Sequence, residues 1–247
     1  MIDSLIIAVT FISIIPIPQK YIPVWNDNAL RYFCPMLAVT GGIFGALWLM
    51  FWAVLCEISG GSTILRGFLM MILTLGLTGG LHLDGLMDTC DAVFSRRDRE
   101  ARLRILSDPQ AGSFAVMGCA VILLGKTILF SELLTLNVNS CALIAVPMYS
   151  RLGMAVLLNN LPFAKSGGLA VILGSARKRK HNIFFAVMMI LLFMLSNILG
   201  VIFVISVIFW RHMCMKIFGG ISGDLLGFFV EMSEFFMMLC LVIYECI

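Results

Sequence analysis

The stretch Pro35–Cys56, PMLAVTGGIFGALWLMFWAVLC, runs for 22 residues without a charge. As a helix it is ~33 Å long at ~1.5 Å per residue, enough to cross ~30 Å of hydrocarbon. Similar segments recur at Ile64–Leu83, Ser113–Leu134, Ser140–Leu161 and Leu225–Tyr244. From Ile183 to Trp210 the mostly apolar run is 28 residues. That would be ~42 Å of helix, too long for one untilted crossing. Both its ends are basic, which favours an even number of crossings, so a turn near Ser196-Asn197 should split it into Ile183–Asn197 and Gly200–His212. The expected fold is an all-α, polytopic integral membrane bundle of about seven spans forming a single domain. Ile2–Ile15 is apolar but short and runs into Pro16 and Pro18. It either crosses with help from its neighbours or lies at the interface. Asp3 stands where a signal peptide would be basic and no small-residue cleavage site follows, so this segment is expected to be kept.

Composition supports the same reading. Of 247 residues, 61% are hydrophobic and 13% charged, with mean hydropathy +1.04. Soluble domains carry roughly 25% charged residues, so a soluble globule, a disordered chain and a nucleic-acid binder are excluded as classes. The partner implied is the lipid bilayer, not nucleic acid. The eight cysteines include no C-x-x-C pair and fall mostly in apolar runs, which suits small buried hydrophobes better than zinc or disulfides.

Basic residues mark the cytoplasmic side of short loops. Lys20 and Arg31, Arg96–Arg104, Lys165 with Arg177–Lys180, and Arg211 with Lys216 hold most of the 17 Lys and Arg. The connections Glu57–Thr63 and Asn137–Asn139 hold none. Helical hairpins at 35–83, 113–161 and 183–212 follow, with the polar loops facing the cytoplasm.

The chemistry is concentrated in GGLHLDGLMDTCD, Gly79–Asp91, which begins inside an expected span and ends at its cytoplasmic mouth. Asp84, Asp88 and Asp91 are spaced i, i+4, i+7 and share one helix face. Each adjacent pair repels by roughly 3 kcal/mol at ~6 Å and an effective dielectric of ~20. A solvated, idle helix end would explain one aspartate. Three on one face at a membrane interface point to a hard divalent cation such as Mg²⁺, Mn²⁺ or Ca²⁺. His82 points off this face and reads as a hydrogen-bonded structural or substrate residue.

Around this core stand other polar groups. Ser95–Arg104 carries five arginines, Arg96 and Arg97 among them, suited to phosphate oxygens or simply to a cytoplasmic loop. Asp108, in DPQAGS, is either a cap for the next helix or a further metal ligand. In GGISGDLLG, Gly219–Gly227, backbone N–H groups near Gly219, Gly220, Ser222 and Gly223 can approach a phosphate. Asp224, Glu231 and Glu234 follow on one face of the last helix, which is expected to meet the aspartate cluster. Lys126 and Arg151 lie within spans and need partners, either those carboxylates or a bound phosphate. Metal-assisted phosphoryl transfer uses all of these groups.

At these residues the chain resembles the cobalamin synthase (adenosylcobinamide-GDP ribazoletransferase) family. The pattern G-G-L-H-L-D-G-L-x-D-T-x-D is followed in order by D-P-x-x-G at Asp108–Gly112, Arg151, Leu161-Pro162, Gly167-Gly168, and G-G-x-S-G-D-x-x-G with Glu231 and Glu234. Gln110 stands where that family commonly has a basic residue, Ser222 where it has Thr, and Val230 where it has a polar amide. The resemblance implies a Mg²⁺-dependent enzyme of the bacterial cytoplasmic membrane. It would join adenosylcobinamide-GDP to α-ribazole or its 5′-phosphate and release GMP. On that basis Asp84, Asp88, Asp91 and Asp108 are candidate metal ligands, and Asp91 or Asp224 the first candidates for accepting the hydroxyl proton. His82, Arg96, Arg97, Lys126, Arg151, Gly219, Gly220, Ser222, Gly223 and Glu231 are candidate substrate contacts. The resemblance leaves room for a homo-oligomer or for association with other cobalamin-assembly enzymes. A CDP-alcohol phosphotransferase also arrays aspartates on membrane helices, but its D-G-x-x-A-R is not matched at Asp84–Thr89. A cation-coupled transporter would place its charges near the bilayer midplane instead.

Overall fold

The computed structural model describes residues 1–57, 62–136, 138, 140–165, 167, 169–174 and 176–246. The loop tips expected at 58–61, Asn137 and Asn139, together with Ser166 and Gly168, lie outside the described residues. Twelve α-helices are described: α1 Ile2–Ile12, α2 Asp27–Leu30, α3 Phe33–Glu57, α4 Thr63–Thr78, α5 Leu81–Phe94, α6 Arg99–Ile105, α7 Ser113–Thr135, α8 Ser140–Asn160, α9 Leu169–Gly174, α10 His181–Leu195, α11 Asn197–Met213 and α12 Gly223–Glu245. A single π turn, Cys214–Phe218, extends α11. The protein is an all-α, multi-pass membrane protein, with α3, α7, α8, α12 and the α11–π unit long and apolar enough to cross.

The lipid-facing logic is plain in α7. Val116, Val121, Leu124 and Ile128 face outward, while Lys126, Leu129 and Phe130 are buried. Apolar residues turn toward lipid and the ionised one turns inward, as a low-dielectric solvent requires. Of the cysteines, Cys34, Cys90 and Cys214 are buried as expected, but Cys56, Cys141 and Cys246 are exposed. No disulfide occurs among the described residues.

The hairpins are hairpins of chain order more than of packing. The principal partner of α3 is α8, and that of α7 is α4. Backbone shape explains the α3–α8 pairing. A Cβ at Gly41 would sit 2.6 Å from the Met148 Cα and Pro147 O, and one at Gly45 2.7 Å from Ile144 O. Glycines four apart let the two backbones touch, the usual way membrane helices gain dispersion contact.

The expected span Ile64–Leu83 is broken. The helix stops at Thr78, and Gly79 and Gly80 take left-handed φ of 62° and 79°. The next helix, α5, leaves at 91° to α4. Hydropathy runs smoothly through the break, and the paired glycines are what permit it. At one end α5 packs on the start of α12, and at its other end on the start of α7. With α4 it makes one apolar unit bent at the two glycines, and its Leu86 and Cys90 pack against Ile122 of α7 and Phe228 of α12. The run at 183–213 divides at Ser196, which is extended, as the length argument requires.

At 11 residues, α1 is ~16 Å long, about half the hydrocarbon thickness. Its Ser4, Ile7, Ala8 and Ile12 are buried, mainly against α3. The Ser4 hydroxyl donates to Ala29 O at 2.5 Å, tying α1 to α2.

Candidate active site

The face of α5 that carries Asp84, Asp88 and Asp91 is left unburied, while His82, Leu83, Gly85, Leu86, Thr89 and Cys90 are buried. This is the i, i+4, i+7 face expected from spacing. Contact with α12 is backbone to backbone: a Cβ at Gly85 would lie 2.7 Å from Asp224 O, and one at Gly227 3.1 Å from the His82 Cα. The crossing delivers Asp224 to the aspartate face. At the other end of α5, Asp91 accepts from Gly112 N at 2.6 Å and from Ala115 N at 2.9 Å.

Asp91 thus supplies the cap that was one of the two roles open to Asp108, the other being a metal ligand. Asp108 is exposed and closes its own turn, accepting from Gln110 N at 3.0 Å. No side chain of α7's own N-cap residue, Gly112, is there to do this work. Replacing Asp91 by Ala should cost about 1–2 kcal/mol, the usual loss for an N-cap. A thermal-shift measurement in detergent reads this as a lower Tm, and an unchanged Tm would show that the α7 start does not depend on it.

Two loops close over the same region. Ala164 N donates to Ile221 O at 2.8 Å and Ile221 N to Pro162 O at 2.9 Å, pairing Phe163 with Ile221 in a parallel bridge. Gly220 lies against this pairing, where a Cβ would be 2.5 Å from Pro162 O. Beyond it the Ser222 hydroxyl caps α12, accepting from Leu225 N at 3.3 Å, and contacts the Asp224 carboxylate at 3.2 Å. The bridge also brings in Lys165, which contacts Ser107.

The result is a cavity of about 510 Å³, whose polar lining includes Thr10, His82, Asp84, Lys165, Ser222 and Asp224. A second of about 640 Å³ adjoins it through Thr10, Phe11, Leu81 and Asp84 and runs past Gly79 and Gly80. Burial, then the charges of Asp84, Asp224 and Asp91, raise the Asp88 carboxyl to about 6, opposed by Lys165. Four carboxylates acting on one another is a convergence the α5 spacing alone does not give. His82 is buried, and its Nε2 has no hydrogen-bond partner among the described residues.

Other expected site residues lie elsewhere. Lys126 is fully buried between Glu231 at 2.6 Å and Glu234 at 2.7 Å. Arg151 pairs with Glu234 and stacks 4.6 Å above the Phe44 ring. Two cations and two carboxylates therefore neutralise one another inside the bundle. Asp224 meets the aspartate cluster as expected, whereas Glu231 and Glu234, farther along the same helix, meet this buried pair of cations. Arg96 is exposed, with φ 54°, and Arg97 lines a separate basic cavity. Gly219 lies beneath the Arg99 guanidinium. Sequence reading did not single out Lys165 as a site residue, although the P-x-x-K-S-G-G turn around it was a usable signal. It had no signal for Thr10, Phe11 and Trp25, which reach the cavity only through the packing of the N-terminal segment.

Among the described residues no three His, Cys, Asp or Glu side chains stand close enough to form a complete metal cage. The donor chemistry nevertheless fits Mg²⁺. That ion is typically held by one or two carboxylates with waters and substrate phosphates, rather than by an all-protein cage. Asp84, Asp88 and Asp224 supply hard oxygens on a crowded anionic face that a cation would relieve.

Fold and site together define a multi-pass helical membrane protein with a carboxylate-lined cleft at one end of its bundle. The chain belongs to the Cobalamin-5-phosphate synthase family, whose profile it matches over residues 4–242. It is 30% identical to the adenosylcobinamide-GDP ribazoletransferase of Geobacillus thermodenitrificans, over 93% of this chain and 91% of that protein. It is 31% identical to the enzyme of that name from Halalkalibacterium halodurans, over 95% and 93%. The one from Acinetobacter baumannii is 30% identical over 96% of both chains. No solved structure matches.

Proposed function

We propose that the protein joins adenosylcobinamide-GDP to α-ribazole or α-ribazole 5′-phosphate, releasing GMP, with its cleft facing the cytoplasm of a bacterial cell. The observation that carries this reading is the meeting of Asp84 and Asp88 on α5 with Asp224 and Lys165, in a chain of this family. A pyrophosphate donor needs its charge neutralised and its leaving phosphate held, and an acidic cleft with one lysine calls for a divalent cation to do part of this.

In the proposed reaction the ribazole 3′-hydroxyl attacks the phosphorus on the cobinamide side. A new P–O bond forms, the bridging P–O bond of the diphosphate breaks, and GMP departs. Asp84 and Asp88 would hold Mg²⁺ with waters and substrate oxygens, and the ion when bound would offset the negative charge of the pyrophosphate. Lys165, which lines the same cavity, would meet a phosphate oxygen. The hydroxyl proton passes to a cleft carboxylate, Asp224 being the better placed, since both Asp91 oxygens already accept from the α7 backbone. The unpartnered His82 Nε2 offers a hydrogen bond to the substrate from the cavity wall. Apolar Phe11, Trp25 and Phe163 give the cleft surfaces for the flat faces of a base or a corrin.

The test is an assay with purified protein in lipid, supplying adenosylcobinamide-GDP and α-ribazole phosphate with Mg²⁺ or with EDTA. GMP and the corrinoid phosphate should appear together and only with Mg²⁺. If folded protein yields neither, or yields both equally in EDTA, the substrate or the metal assignment respectively is wrong.

A further inference from the structure

Sharing no lining residue with the aspartate cleft, another cavity of about 580 Å³ opens between α6 and the end of α11. Arg97, Arg99, Arg102, His212 and Lys216 form its polar lining, Phe209, Met213 and Ile217 its apolar lining, and no carboxylate lines it among the described residues. The nearby Asp98 is occupied in capping α6, where it accepts from Ala101 N at 2.9 Å. Among the described residues Arg97, Arg99, Arg102 and Lys216 form no ion pair. Arg102 Nε is buried without a hydrogen-bond partner. Arg99 lies over Gly219, in the space a side chain there would fill, and the π turn at Cys214–Phe218 carries Lys216. Cations gathered without counter-charge in a concave site select an anion with several oxygens.

The remaining wall says which anion. On α11, Val201, Val204, Ile205, Ile208 and Phe209 are exposed and form one apolar stripe that ends at this cavity. A free phosphate would use only the basic wall. A phospholipid uses both: headgroup among the arginines, acyl chains along α11. We propose that this cavity binds the headgroup phosphate of an anionic phospholipid. The proposal does not depend on the transferase reading.

Native mass spectrometry of the full-length protein, released from detergent containing equal phosphatidylglycerol and phosphatidylcholine, tests it. Phosphatidylglycerol should be retained preferentially. Arg102→Gln with Lys216→Gln should reduce that preference about fivefold per charge removed, while Arg102→Lys with Lys216→Arg should keep it. Lys216→Gln alone, a milder change, should give about one fivefold step even if the double variant fails to fold. Equal retention of the two lipids, or an unaltered preference in the Gln variants, overturns the proposal. So does displacement of phosphatidylglycerol by excess inorganic phosphate or GMP, which would mark a site for soluble phosphates.

Discussion

Asp84→Asn should lower turnover by at least about a hundredfold, the scale of losing one charge-stabilising group in a phosphoryl-transfer site. The folded protein should be unharmed. Asp84 is exposed on the cleft wall and has no hydrogen-bond or ion-pair partner to lose among the described residues. Its removal also takes one negative charge away from Asp88, whose carboxyl is already pushed up by burial and by Asp84 foremost among its neighbours. The Tm should therefore stay the same or rise. Activity falling without Tm falling is the signature of a group held at a cost for chemistry. Full turnover in the variant would end the assignment of Asp84 to the phosphate clamp. Loss of turnover and Tm together would mean that the carboxylate serves the fold.

The aspartate face was legible because helical periodicity is local: three residues at i, i+4 and i+7 share a face wherever the helix goes. Where the helix goes was not legible. The run from Ile64 to Leu83 is apolar enough to pass for one span despite Arg66 and His82, so hydropathy alone carries a helix through Gly79 and Gly80, whose left-handed backbone turns α5 by 91°. That turn puts Asp84 beside α12 and Asp91 at the start of α7. It makes one aspartate a clamp on backbone N–H groups while its neighbours face the cleft. Similarly, the acidic face of α12 was legible as one stripe, Asp224, Glu231 and Glu234. Its division between two sites follows from depth, because seven residues of helix span ~10 Å. The near end reaches the cleft and the far end reaches Lys126 and Arg151, which charge parity could pair with carboxylates but could not assign. The N-terminal segment contributes Thr10 and Phe11 to the cavity by tertiary packing alone, which no local pattern encodes.

Glu234→Gln should destabilise the protein by roughly 3–5 kcal/mol, the cost of leaving a buried charge without its partner. Glu234 touches both Lys126 and Arg151 and also accepts from the Ser150 hydroxyl at 3.1 Å, and all three partners are fully buried. Neutralising it leaves two fully buried cations facing Glu231 alone. The remedy distinguishes charge balance from lost shape. Adding Arg151→Met to Glu234→Gln leaves Lys126 with Glu231 at 2.6 Å, a balanced pair, and fills the space beside Phe44 with an apolar side chain. The double variant should be more stable than Glu234→Gln alone, although it carries one more substitution. Thermal unfolding of the two variants in the same detergent measures the difference. If the losses simply add, the tetrad is not held by charge compensation, and Lys126 and Arg151 must owe their place in the membrane to something other than the two glutamates.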